Sequence, residues 1–332
     1  MLLCGTANRE EISMCEVISI SSAALSATIL PYGARLADLR LGAEQIPLVL
    51  RHKALDSFLT DKNYMGAVIG RYANRIDKGK IEIDGQTFQL ELNEAGCRQL
   101  HGGSRGFAVQ NWTVADTTDQ AVKLKISSQD GDAGYPGNLD ASVIYEICNE
   151  TTLRISLHAQ TDRPTLVNMC HHPYFRFGKA TPQSDHSLTI HATHVLPSDE
   201  TLVPTGEIKP VAGTEFDFLR PRMLDPEQDP LFNNTYCFPV RENGALHHGA
   251  TLATSQVQME LWTTQPGMHL YNGYKLDGTD VDQYGEAINA HSAICLEAQG
   301  WPDSPNNNRF PSTLLFPEQH YQQITEYRFS FI

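Results

Sequence analysis

The sequence predicts an all-β protein, built as a large antiparallel sandwich, and three observations carry that expectation. Short runs alternate apolar and polar residues with a period of two, turn-forming residues fall between the runs, and helical periodicity is nearly absent. Many strands at regular spacing without intervening helices argue against a doubly wound α/β sheet.

The first alternating run is Glu16-Val17-Ile18-Ser19-Ile20. Lys80-Ile81-Glu82-Ile83 and Thr87-Phe88-Gln89-Leu90-Glu91-Leu92 flank Asp84-Gly85, a dipeptide that predicts a tight hairpin. Ala121-Val122-Lys123-Leu124-Lys125-Ile126 comes next, and Asn149-Glu150 is placed to join two further strands, the second being Leu153-Arg154-Ile155-Ser156-Leu157. Ser187-Leu188-Thr189-Ile190 and Tyr327-Arg328-Phe329-Ser330-Phe331 complete the set. Each run puts its apolar side chains on one face of a pleated strand. Residues 55–58 form the single candidate helical turn. Residues 217–234, rich in Pro, Asp and Arg, read as a long functional loop rather than a domain boundary. Length alone would permit two domains. With no internal repeat and no low-complexity linker, the expectation is one domain over residues 1–332.

Lys and Arg total 25 against 39 Asp and Glu, a net charge of -14. Such a surface repels phosphate backbones and anionic lipid, which argues against nucleic-acid and membrane partners. No segment approaches the about 20 apolar residues that span a bilayer. The start, Met1-Leu2-Leu3-Cys4-Gly5 and then Arg9-Glu10-Glu11, lacks the layout of a signal peptide. The seven cysteines (4, 15, 97, 148, 170, 237 and 295) form no Cys-x-x-Cys pair, so they read as reduced thiols in a cytoplasmic protein. Cys148 and Cys295 lie in apolar runs and are expected to be buried as small hydrophobes.

Four segments break the strand pattern. Gly70-Arg71-Tyr72-Ala73-Asn74-Arg75-Ile76 offers several fixed donors after an apolar run, or else surface charges that pair with nearby acids. Leu100-His101-Gly102-Gly103-Ser104-Arg105-Gly106-Phe107 has glycines that would let a histidine approach a ligand, although a loop histidine without a role fits equally. In Asn168-Met169-Cys170-His171-His172-Pro173-Tyr174-Phe175, the proline holds His172 extended, and adjacent histidines on a strand face opposite sides. Either one lines a pocket or both are buried and hydrogen-bonded. In Ala293-Ile294-Cys295-Leu296-Glu297-Ala298-Gln299-Gly300-Trp301-Pro302-Asp303, Glu297 ends an apolar strand. A carboxylate there must be ion-paired, hydrogen-bonded or facing a cleft, which makes it the leading candidate for a general base.

Other chemistries are less well supplied. The pairs His171-His172 and His247-His248 are poorly spaced for one metal, and there is no His-Glu-x-x-His run. There is no Gly-x-Ser-x-Gly elbow and no Gly-x-Gly-x-x-Gly loop. The expectation is that neither metal nor cofactor is needed.

Taken together and in order, these segments resemble the aldose 1-epimerase family. The likeness runs from Leu30-Pro31-Tyr32-Gly33-Ala34 to the C-terminus. It includes His172-Pro173-Tyr174-Phe175, Pro204-Thr205-Gly206, Phe216-Asp217-Phe218, Thr263-Thr264-Gln265-Pro266-Gly267, Tyr271 and Cys295-Leu296-Glu297-Ala298-Gln299. The resemblance implies a galactose-mutarotase-like supersandwich that interconverts the α and β anomers of a free sugar. By the same resemblance, Glu297 would be the general base on the C1 hydroxyl and His172 the general acid on the ring oxygen. His101 would support that oxygen, and Asn74 and Arg75 would hold sugar hydroxyls. A carboxylate and an imidazolium on opposite sides of the ring would do this chemistry, with mutual attraction favouring both charged forms.

Two positions depart from the family pattern. Asn233 stands where an acidic residue is usual and His269 where Gln is common, which implies a different preferred sugar. Competing readings are a non-catalytic sugar sensor, a hexose-phosphate epimerase and a carboxylate-pair glycosidase using Glu297 and Asp303. The phosphate reading wants a basic cluster beyond Arg71 and Arg75, and the sequence shows none. The partner expected is a small-molecule sugar, bound by a monomer or homodimer.

Overall fold

The computed structural model describes residues 16–179, 181–240 and 244–332. Expectations for residues 1–15, including Cys4 and Cys15, lie outside the described residues. Among the described residues the regular structure is β, interrupted by 3₁₀ turns such as Leu55–Leu59 and Phe107–Val109. The first covers the expected helical turn, with Phe58 buried.

Nine strands form the largest sheet, in the order Thr113–Thr117, Ala121–Ser128, Leu139–Asn149, Thr152–Thr161, Tyr321–Phe331, Val257–Thr263, His247–Ala253, Ser187–Ile190 and Arg222–Met223. Its pairings are antiparallel. Alternation sets the inner face: Val143 pairs with Leu157, Tyr145 with Ile155 and Ile147 with Leu153, all buried. The same alternation exposes Cys148, against the expected burial: with Ile147 inward, the next side chain must point out. Cys295 is buried as expected. One apolar core draws on residues from Ile18 to Phe329.

The Asp84-Gly85 hairpin forms, with φ of +51° and +75° at the two turn residues and Ile83 facing Gln86. Its second strand stops at Gln89 rather than Leu92, because Leu90 N–H turns to Gly79 O and Glu91 N–H to Ala133 O. The Asn149 turn is shifted by one residue: Asn149 faces Thr152 after a bulge, leaving Glu150-Thr151 as the loop. Residues 217–234 are not one irregular loop. Arg222–Met223 adds an edge strand, Phe218, Leu224 and Phe232 are buried, and Asn233 opens the strand Asn233–Cys237.

A second sheet of five strands runs Lys209–Pro210, His194–Leu196, Asn233–Cys237, Gly267–Tyr271 and Cys295–Gln299. Two short pairs close over it: Val68–Ile69 with Cys170–His171, and Arg75–Asp77 with Arg98–Leu100. The crossing of residues 70 and 102 is tight. Gly102 has φ +82°, and a Cβ on it would lie 2.0 Å from Gly70 O. Gly102→Ala is therefore expected to cost well over about 3 kcal/mol. Gly85→Ala, at φ +75° with nothing within 4 Å, should lose only about 1–2 kcal/mol of backbone strain. Urea midpoints compare the two, and equal losses would refute the crowding argument.

Candidate active site

The five-stranded sheet positions the site by register. Thr235, His269 and Glu297 stand opposite one another across three strands, and Asn233, Tyr271 and Cys295 form the next row. Residues opposite each other, and those two apart, share a face. That face therefore presents Asn233, His269, Tyr271 and Glu297 together. The short pairs above supply the opposite wall: His172 comes directly after Cys170–His171, Arg75 opens its strand opposite Leu100, and His101 comes directly after Leu100.

All seven residues singled out from the sequence (Glu297, His172, His101, Asn74, Arg75, Asn233 and His269) line one cavity of about 200 Å³. The volume is below the roughly 300 Å³ where drug-sized sites begin. Lys62, Asn63, Tyr64, Glu94, Tyr174, Tyr271 and Lys275 line it as well. Tyr174 and Tyr271 lie in the motifs quoted above. Tyr64, Lys62 and Lys275 sit in irregular segments with no periodic signal. Arg71 is elsewhere, its guanidinium clamped by Ser128 Oγ and the carbonyls of Ser128, Gln129, Pro136 and Gly137. Asp303 does not line the cavity; its carboxylate accepts from Asp77 N–H at 3.0 Å and from Asn306, so the two-carboxylate glycosidase arrangement is not formed. A larger open groove of about 690 Å³ crosses the outer face of the nine-stranded sheet, but its titratable groups, among them Lys123, Asp140, His158 and His320, are exposed or half-buried.

Glu297 and His172 are in contact at the cavity floor, with Nε2 3.5 Å from Oε1. Both are almost fully buried. The spacing leaves no room for a sugar ring between them, so the carboxyl and the imidazole lie side by side. Burial raises the Glu297 carboxyl to about 8 against smaller lowering effects from the Cys170 thiol, 3.9 Å away, and from Arg75. Burial also lowers the His172 imidazole to about 4. Attraction was expected to charge both groups, whereas burial pushes each the other way, toward a carboxylic acid beside a neutral imidazole. This state holds the same single proton as the ion pair and differs from it by one transfer across the contact.

His101 accepts the Asn74 N–H at Nδ1 (3.2 Å), which places the proton of the neutral ring on Nε2. Burial holds that imidazole well below its usual range. Its ring packs edge-on to His172 and Tyr64, with centroids 5.6 and 4.7 Å away. His171 points away as strand alternation requires, its Nδ1 3.2 Å from Tyr327 OH. His269 is fully committed: Nδ1 meets Thr235 Oγ1 at 2.9 Å, and Nε2 meets Asn233 Oδ1 at 2.7 Å. The Asn233 amide nitrogen then donates to Tyr274 OH at 3.3 Å. Arg75 grips Glu94 with two bonds of 2.7 Å, and Arg98 adds a third of 2.7 Å.

A buried ion network carries the Tyr64 loop. Arg35 lies 2.7 Å and His52 3.4 Å from Asp61, whose oxygens also accept the N–H groups of Asn63 and Met65. Burial would raise Asp61, but His52 and Arg35 together hold it at about 2. His172, Cys295 and Glu297 bring three ligand-type atoms within 4.8 Å of one another. Burial pushes the Cys295 thiol well up, so it stays protonated and a poor metal ligand.

A family model described as aldose 1-epimerase matches residues 16–328. Galactose mutarotase from Homo sapiens is 37% identical over 328 residues, covering 95% of this chain and 94% of that protein. Aldose 1-epimerase from Escherichia coli (strain K12) is 32% identical over 326 residues, 93% of each chain. Among solved structures, a GalM/aldose epimerase homologue from C. elegans superposes with a TM-score of 0.88 at 28% identity, covering 96% of this chain and all of that one. Galactose 1-epimerase from Lactobacillus acidophilus NCFM shares the fold, with a TM-score of 0.84 at 24% identity over 98% and 97% of the chains.

The pair has a pH signature. A raised Glu297 contributes stability that is lost as pH climbs from its ordinary 4.5 through about 8, whereas a lowered His172 contributes stability lost as pH falls from 6.5 through about 4. Between pH 6.5 and 8 only the Glu297 contribution changes. Glu297→Gln should therefore gain stability relative to the parent as pH rises through that window and level off above it. A pH-independent difference in urea midpoint would show that Glu297 is ionised throughout.

Proposed function

The chain belongs to the aldose 1-epimerase family and is a mutarotase with the all-β fold of that family, and from that premise we propose that Glu297, His172 and His101 carry the reaction. The observation that supports this assignment is the buried 3.5 Å contact between His172 Nε2 and Glu297 Oε1. In a cyclic sugar the C1 hydroxyl and the ring oxygen share one carbon, so an adjacent acid and base match adjacent oxygens.

Ring opening starts from the ion-paired form of the couple. The Glu297 carboxylate takes the O1 proton, C1=O1 forms as the bond from C1 to the ring oxygen breaks, and the His172 imidazolium protonates the released oxygen. His101 Nε2–H donates to the same oxygen as negative charge develops. The open aldehyde turns about its C1–C2 bond and closes on the other face with the transfers reversed. After opening, the proton rests on Glu297 and His172 is neutral. That is the distribution burial of the two groups favours, so the environment stabilises the open-chain complex relative to the charged starting pair. Substrate hydroxyls that hydrogen-bond to the charged groups offset this bias on entry. Asn74, Arg75 and Asn233 orient the hydroxyls, and His269 acts through Asn233.

Relatives are named for galactose, and a free aldose of that kind is the starting substrate for tests. Glu297→Gln and His172→Gln should each lower the rate of mutarotation by about 10²–10⁴-fold, measured by polarimetry on freshly dissolved α-anomer. Rates within threefold of the parent would remove these two residues from the proposed roles.

A further inference from the structure

The lining of the cavity is rich in cations and in hydrogen-bond donors. Lys62, Arg75 and Lys275 line it, against Glu94 and Glu297. Glu94 is already neutralised by two guanidinium groups, Arg75 and Arg98, which fill it with three short bonds. Among the described residues neither Lys62 nor Lys275 has an ion-pair partner; the Lys275 ammonium sits 5.7 Å from the Tyr274 ring centroid. Burial, and after it the Arg75 charge, lower Lys275, while Glu94 acts the other way. This concentration of positive charge lies in a chain of net charge -14.

The neutral groups point the same way. Asn74 Oδ1 accepts Arg75 N–H at 3.0 Å, and Asn233 Oδ1 accepts from His269. Of the three asparagines lining the cavity, Asn74 and Asn233 each have the amide oxygen engaged within the protein, leaving N–H groups for a ligand. A sugar hydroxyl beside Asn74, Asn233, Lys62 and Lys275 meets donors readily, while the Glu94 carboxylate is taken up by Arg75 and Arg98. An unpaired buried O–H is costly. A carboxylate or phosphate has no such proton to place, because when ionised it only accepts.

We propose that the pocket is built for an acidic aldose, a sugar carrying an anionic oxygen group away from C1, with Lys275 and Lys62 pairing with that group. The inference rests on the mutarotase reading and deepens it by naming the substrate class. It also supplies the basic groups that sequence alone did not show, since both lysines lie in irregular segments far apart in the chain.

The test uses the full chain and three sugars that differ at one position: galactose, galacturonate and galactose 6-phosphate. Anomer exchange is read by NMR at neutral pH in low salt, as kcat/KM for each. The expected result is at least a tenfold preference for one or both anionic sugars over galactose. That preference should fall tenfold or more in a Lys62→Gln/Lys275→Gln double variant and in raised salt. Preference for galacturonate alone assigns a carboxylate, for the 6-phosphate alone a phosphate, and either supports the proposal. Galactose turned over as fast as both anionic sugars, or a preference that persists in the double variant, would overturn it while leaving the mutarotase reading intact. No exchange with any of the three would overturn both. Because the two lysines are exposed, the double variant should fold, and its circular dichroism and urea midpoint verify this.

Discussion

Burial of the Glu297 carboxyl is the constraint around which this site is organised. It lies on a strand of five consecutive buried residues, where an isolated charge would be prohibitive. The protein resolves this by giving the carboxyl a neutral imidazole at 3.5 Å and a thiol at 3.9 Å, so that a single proton is shared by two groups that each resist charging. The coupling places a poised acid and base next to each other without a fixed ion pair. Burial acts on both groups at once, because the loss of surrounding water raises the carboxyl and lowers the imidazole.

The second wall needs more support than the sheet wall. Tyr64, Asn74 and His101 all have positive φ, at +57°, +66° and +52°, a conformation that costs most residues about 1–2 kcal/mol. Each is held by contacts that over-determine it. The Arg35–Asp61–His52 network ties down the turn carrying Tyr64. The Asn74 N–H bonds His101 Nδ1 while His101 N–H bonds Asn74 O, so the two strained residues hold one another. Arg71, despite its place near Asn74 in the chain, spends its donors on the carbonyls of residues 128, 129, 136 and 137 and anchors the base of this segment.

Several parts of this architecture are legible in the sequence. Alternation in residues 121–126 and 153–157 marks the sheet faces correctly, because one face of each strand meets the core and the other meets water. Asp84-Gly85 marks its hairpin, because few dipeptides accept positive φ twice. Alternation also bears on His171 and His172, which point to opposite sides. The misses have physical reasons too. Cys148 has apolar neighbours in the chain, but its parity with Ile147 decides its exposure. Arg71 and Arg75 stand four residues apart, and the sequence does not show the turn that sends their guanidinium groups in different directions. Burial pushes Glu297 and His172 toward their neutral forms, against the expected charging, because a sequence shows charge types and not how much water surrounds them.

By itself, then, the sequence determined the features set by local chemistry: strand periodicity, the turns at Asp84-Gly85 and His101-Gly102-Gly103, the acidic balance, and the residue types able to move a proton. Only the tertiary structure decided which of those groups meet. Thr235, His269 and Glu297 are far apart in the chain and become neighbours through strand register, a long-range pairing that no local pattern encodes. The same holds for Lys62, Glu94 and Lys275, which reach the cavity from three loops. Charge, burial and hydrogen-bond saturation are properties of that assembled wall, because each depends on the distances between side chains and on the solvent that folding removes.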